Sequence, residues 1–312
     1  MVTPAGEKSR SVSTHRCAVS IRACDTRMSR FFALNPLRGL SDHLEIRSGR
    51  LEQLKNGDDM YQVDVLVQGF PGNAVCHGGL GWSTIALLRD CDRTILIDVG
   101  AFGVRRELLK QLRQHGVEPE AITDVVLTHA HYDHSVNFTL FPTATIWIGD
   151  DELAWAERQP PGFNPLPELY VRELGASSRV RRVAANDMFI EGIRAIAAPG
   201  HTPGSLLFHL EANEPPVLFT GDAAKNRAEL LSHDVDATAD RAASQDTIAR
   251  IWRLWRATPG TVLIPGHDLS MQLDDSGSPA YTGERSAAIA AWFGESIELT
   301  TKINLEKSSE AS

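Results

Sequence analysis

The sequence predicts an α+β fold in which successive strands deliver histidine and aspartate side chains to one edge of a sheet, and three observations predict it. Four short apolar runs, at 124–127, 193–196, 217–219 and 261–264, read as buried strands, and each is followed within a few residues by His or Asp. Two longer stretches, 104–115 and 240–258, have helical periodicity instead. Leu108, Leu109 and Leu112 oppose Arg105, Arg106, Lys110 and Arg113 in the first, and Ile248, Ile251, Trp252, Leu254 and Trp255 share a face of the second. Finally, 312 residues with 42% hydrophobic and 23% charged content suit one large globular domain with a real core.

The first run leads into Thr128-His129-Ala130-His131-Tyr132-Asp133-His134, which packs three imidazoles and one carboxylate together. These are ordinary ligands of a zinc-like ion, and His-x-His points two rings to the same side of an extended chain. Asp133 and His134 fall where the chain must turn and can face a second ion. A surface histidine cluster is the bland alternative, and the later runs argue against it. His201 sits in the turn Pro199-Gly200-His201-Thr202-Pro203-Gly204, Asp222 follows Phe219-Thr220-Gly221, and His267 follows Ile264-Pro265-Gly266. Loops at one sheet edge are where a rigid scaffold collects site residues.

HxHxDH followed in order by the later His, Asp and His closely resembles the pattern of the metallo-β-lactamase superfamily of hydrolases, over roughly residues 62–270. The resemblance implies a four-layer αββα sandwich, with two mixed β-sheets face to face and helices outside. It implies that His129, His131 and His201 hold one metal, that Asp133, His134 and His267 hold a second, and that Asp222 bridges them. Zn2+ is the expected cofactor, two per chain, with a single ion, or Fe, Mn or Co, as alternatives. Asp98, at the end of the run 94–98, is implied to support the site, because a metal-bound imidazole needs its other N–H oriented by an acceptor. A strand-terminal turn residue is the plainer reading of Asp98.

Along the chain, residues 1–30 are basic, rich in Ser and Thr, and lack the apolar run of a secretory signal. They are expected to form a disordered tail, with a transit-like segment or a start at Met28 as alternatives. Residues 31–60 are expected to be a lead-in, 61–300 the metallo-hydrolase domain and 301–312 a polar, frayed tail. Within the domain, further strands are expected at 63–70, 83–88, 94–98 and 144–148, and further helices at 150–158 and 286–299. The glycine-rich loop 71–81 carries His77 and leads to Trp82. The proline- and aromatic-rich stretch 159–174 reads equally as a wall of the substrate pocket or as a stiffened helix connector. Cys17, Cys24, Cys76 and Cys91 lack CxxC spacing, which suits reduced thiols in a cytoplasmic protein. No run has the apolar length to span a membrane, and a net charge of −9 argues against nucleic acid as the main partner. A homodimer is the base-rate expectation.

Two metal ions bridged by a carboxylate lower the pKa of bound water and polarise the scissile group. The expected reaction is therefore hydrolysis by a metal-bound hydroxide, with Asp133 and Asp222 as the acting carboxylates. Contacts to a small-molecule substrate are expected from His77, Trp82, Lys225 and Asn226, with His77 a candidate leaving-group acid. The expected substrate is a small neutral ester or lactone. Many lactone-hydrolysing relatives carry a Tyr close after the bridging Asp, whereas Ala223-Ala224-Lys225-Asn226 stands here, a departure that argues against an acyl-homoserine lactone as substrate. The runs around Asp222 and His267 are also similar to hydrolytic dehalogenases of chlorinated aromatics such as chlorothalonil. Those need an apolar, aromatic pocket, which Trp82, Phe138, Phe163 and Tyr170 can furnish, although the same four equally suit the core. A metal-binding scaffold without catalysis is the alternative from another class, disfavoured because every ligand is present.

Overall fold

The computed structural model describes residues 61–306 apart from His77 and Asn164. In chain order come β1 (Gln62–Val67), a short ribbon of β2 (Asn73–Ala74) and β3 (Gly78–Gly79), β4 (Ile85–Arg89), β5 (Thr94–Ile97) and α1 (Arg105–Gln114). Next are β6 (Asp124–Val126), α2 (Tyr132–Ser135), β7 (Thr145–Gly149), α3 (Asp150–Ala156), α4 (Glu168–Ala176) and β8 (Val180–Val183). Then follow β9 (Met188–Ile190), β10 (Ile193–Ala197), β11 (Leu206–Leu210), β12 (Val217–Gly221), α5 (Arg227–Ser232) and α6 (Arg241–Ala257). The last elements are β13 (Val262–Pro265), β14 (Met271–Leu273), β15 (Pro279–Tyr281), β16 (Ala288–Ala291) and β17 (Thr301–Asn304).

Six strands pair in the order β1-β4-β5-β6-β7-β8, antiparallel as far as β5 and parallel beyond it. Seven pair in the order β15-β14-β13-β12-β11-β10-β9, with β12 and β13 the parallel pair. Side chains alternate across each strand, and in both sheets both faces are apolar. Leu96 packs in one buried cluster with Leu108 and Leu112 of α1, whereas its neighbours Ile95 and Ile97 join a second cluster with Phe208, Phe219 and Ile264 of the other sheet. In turn, Leu218 lies on the far side, packed with Ile248, Ile251 and Trp255 of α6. Strands that are apolar on both faces need cover on both, which gives the four layers helix, sheet, sheet, helix. The expected αββα sandwich is what forms.

The long amphipathic stretch forms α6 where its periodicity places it. Asp240 caps the helix by accepting the Ala243 N–H at 3.0 Å. Trp255 is buried and donates its indole N–H to the Thr261 carbonyl at 2.9 Å, so both tryptophans of the helix are core.

Two expectations at the C-terminal end are corrected. The stretch 286–299 is not a helix: Ala288–Ala291 pairs antiparallel with Thr301–Asn304 as a separate two-stranded ribbon. Alanine favours helix locally, but Gly294 interrupts the run, and Thr301 and Ile303 supply a β-branched partner strand. The same pairing takes 301–304 out of the frayed tail. The expectations for residues 1–60 lie outside the described residues.

Candidate metal centre

The parallel pairs β5/β6 and β12/β13 bring their C-terminal ends to the same edge of the two sheets. Backbone hydrogen bonds then lock the following loops together. Leu206 N–H donates to the Thr128 carbonyl at 3.0 Å across the sandwich, and Gly266 N–H donates to Gly221 at 2.9 Å. Two glycines are required here. Gly221 has φ +48°, and a Cβ would sit 2.7 Å from the Thr128 side chain. A Cβ on Gly266 would overlap the Asp222 carboxylate.

All seven candidate ligands converge at this edge. His131 Nδ1 lies 2.9 Å from His201 Nε2, and His201 Nε2 lies 3.3 Å from Asp222 Oδ2. Asp222 Oδ1 faces His134 Nε2 at 3.1 Å and His267 Nε2 at 3.2 Å, and His267 Nε2 is 3.2 Å from Asp133 Oδ2. Donor atoms fall into three overlapping groups, each within 4.8 Å: His129, His131 and His201; His129, His134 and Asp222; Asp133, His134 and His267. Ligand atoms about 2.1 Å from one tetrahedral ion sit about 3.4 Å apart, so these spacings suit shared cations.

Two further observations test the fit. His129 Nε2 and Asp222 Oδ1 are buried with no hydrogen-bond partner among the described residues. A buried ring nitrogen and a buried carboxylate oxygen left unpartnered are what a common cation would satisfy. Moreover, burial holds the His131 imidazole down to about 3 and the His201 imidazole down to about 4, and holds His129 well below the ordinary histidine value. These three rings are neutral lone-pair donors at physiological pH. Burial opposes protonation of His134 as well, but Asp222, Asp133 and Asp98 outweigh it and raise that ring well above its ordinary value. His267 is likewise pushed up to about 9, burial being outweighed by Asp222 and Asp133. An all-nitrogen-and-oxygen donor set suits zinc and its first-row neighbours.

Orientation of the rings comes from behind. Asp98 Oδ2 lies 2.8 Å from His134 Nδ1 and accepts the Thr128 hydroxyl at 2.8 Å, while Oδ1 accepts the Thr128 N–H at 2.8 Å. Asp98 thus ties His134 to the loop that follows β6. His201 Nδ1 is held by the Ala237 carbonyl at 3.0 Å.

The expected substrate contacts divide differently. His77 lies outside the described residues. Trp82 stacks on Phe70 with ring centroids 4.8 Å apart, and its indole N–H donates to the Gln68 carbonyl. Lys225 directs its ammonium to Glu229 at 2.7 Å and to the Asp236 carbonyl, and Asn226 caps α5 by accepting the Glu229 N–H. Each of the three therefore has a structural partner. Phe138 is fully buried in the core. The stretch 159–174 connects α3 to α4, as the connector reading has it, and also reaches the site: the Pro165 carbonyl accepts the Tyr132 N–H at 3.1 Å, and Phe163 packs on Trp155, which neighbours His131.

The family model of the metallo-beta-lactamase superfamily matches residues 78–267, well over half of the chain. The chain belongs to the metallo-beta-lactamase superfamily. Its two mixed sheets and its clustered His and Asp side chains are those of a metal-dependent hydrolase of that superfamily. It is 25% identical to metallo-beta-lactamase domain-containing protein 1 of Xenopus laevis, over 72% of this chain and 87% of that protein. The Mus musculus protein of the same name is 42% identical over 23% of this chain and 27% of its own length. An N-acyl homoserine lactonase from a Bacillus species is 25% identical over 54% of this chain and 65% of that protein. The solved structure of AidC, a dizinc quorum-quenching lactonase in complex with a product, shares the fold with a TM-score of 0.54. It is 19% identical and covers 65% of this chain and 80% of that chain.

One residue at this superfamily site escapes sequence reasoning. Glu152 is fully buried and accepts hydrogen bonds from both histidine-bearing loops. In the sequence it is the third of three acidic residues, Asp150-Asp151-Glu152, at a helix start, a position where acids are expected for the helix dipole alone.

Proposed function

We propose that the chain hydrolyses a small neutral ester or lactone at a centre that holds two zinc ions. The observation that carries this reading is the convergence of seven side chains in three overlapping donor groups, with the Asp222 carboxylate among His134, His201 and His267. When bound, such ions lower the pKa of a water and polarise the scissile carbonyl. His129, His131 and His201 would hold one ion, Asp133, His134 and His267 the other, and Asp222 both. Asp98 keeps His134 oriented through its Nδ1, and the buried Thr128 keeps Asp98 in place. A neutral substrate is favoured because the cation next in sequence to the site, Lys225, is already engaged by Glu229. Two relatives named as lactonases, one of them named as dizinc, support the ester or lactone class and the metal.

The test is proton release by zinc-loaded protein on a lactone, an aryl ester, a thioester and a chlorinated aromatic nitrile, with Asp222→Ala as control. Turnover of the lactone or the ester is expected, falling at least a hundredfold in the variant. Chloride release from the nitrile in place of ester or lactone turnover would contradict the substrate class and establish a hydrolytic dehalogenase instead.

A further inference from the structure

The two loops that carry the first three imidazoles come from different sheets. His129 and His131 follow β6 of the six-stranded sheet, and His201 follows β10 of the seven-stranded one. Three rings from two sheets can meet at one point only if something holds those loops in register. Glu152, in the first turn of α3, reaches both. Its Oε1 accepts the N–H of Ala130, between His129 and His131, at 2.9 Å. Its Oε2 accepts the Thr202 hydroxyl at 2.6 Å and the Gly204 N–H at 3.2 Å, on the segment just after His201. The packing is tight enough to require glycine. A Cβ on Gly204 would overlap the backbone of Glu152, and one on Gly149 would lie 2.9 Å from the Gly204 carbonyl.

We propose that Glu152 is a positioning residue for the His129, His131 and His201 trio, a carboxylate clamp that sets the spacing of these rings before a metal arrives. The inference rests on the two-metal reading given above. A fully buried carboxylate is costly, and no ion pair offsets this one among the described residues. It is stabilised by three donors, and those donors belong to the loops of the trio. A residue whose only task was to fill the space under α3 would be better apolar. The Asp133, His134 and His267 group has its own support from Asp98, and none of the hydrogen bonds of Glu152 among the described residues reaches it, so the effect is selective.

The experiment is a cobalt titration of metal-free full-length protein, followed by visible absorption and by metal content after gel filtration, for the wild type, Glu152→Gln and Thr202→Val. Glu152→Gln keeps the volume and one acceptor but turns a donor toward Gly204 N–H. Two sites are expected in the wild type. In Glu152→Gln one of them should weaken ten- to a hundredfold, the range found for residues behind metal ligands, while the other stays at wild-type affinity. Thr202→Val, which removes one of the three bonds, should weaken the same site by less and covers the case in which Glu152→Gln does not fold. Equal weakening of both sites in step with a lower melting temperature would overturn the clamp, as would unchanged binding at both. A wild type that binds no divalent metal would instead overturn the metal-centre reading itself.

Discussion

Asp98 holds a left-handed backbone conformation, φ +54°, that only a few residue types accept without strain, and its carboxylate divides between Thr128 and His134. Asp98→Ala leaves the Thr128 N–H and the His134 Nδ1 without their acceptor. The expected cost is about 1–3 kcal/mol for each buried group left unpaired, together with a ten- to hundredfold loss of metal affinity at the His134 site. Chelator competition separates the second effect from the first. Glu152 makes a different prediction, of pH dependence. Burial pushes its carboxyl from the ordinary 4.5 up to about 7, against the hydrogen bonds from Thr202, Ala130 and Gly204. Between these values the folded protein holds a proton that the unfolded chain has lost. The contribution is full below about 4.5 and is lost as pH rises through about 7, on the order of 3 kcal/mol in all. Since Gln does not titrate, urea unfolding should show the wild type losing ground to Glu152→Gln as pH rises over that interval. A difference in stability that stays flat with pH would contradict this. At this scale the sequence was legible where chemistry is local: the seven candidate ligands read from it do converge, and Asp98 lies beside His134. Glu152 was not legible, because its role depends on two loops about 22 and 50 residues away that only the fold brings to it.

The strand ends do the gathering, and glycine makes it possible. Gly221 and Gly266 lie where β12 and β13 leave the sheet, with the Gly266 N–H bonded to the Gly221 carbonyl at 2.9 Å. Gly266→Ala is expected to displace the Asp222 carboxylate, since the added methyl overlaps it. The same methyl would lie 2.7 Å from the Gly221 backbone, so kcat on the lactone or ester and the urea midpoint should both fall. A variant with wild-type kcat would show that the loop relaxes freely. Elements with a strong period were readable in advance, among them α1, α6 and the strands that precede each ligand. The ribbon of Ala288–Ala291 and Thr301–Asn304 was not, because an alanine run is helical by local preference and is extended here through a partner strand ten residues on. Short strands such as Val180–Val183 also gave little signal: Arg181 and Arg182 fill their exposed positions, and the stretch is only four residues long.

At the scale of the whole molecule, two sheets apolar on both faces, three buried clusters and the strand order bring residues distant in sequence to one site. The candidate ligands span 129 to 267, and the loops that carry them are tied by backbone hydrogen bonds between sheets as well as within them. No helix among the described residues is long and apolar enough to cross a membrane. The central claim is that two divalent ions sit among these seven side chains. It is tested most directly by elemental analysis of the purified protein after gel filtration, beside His129→Ala and His267→Ala. Two equivalents of metal per chain in the wild type, and about one in each variant, is the predicted result. A wild type without metal, or two equivalents retained in both variants, would contradict it.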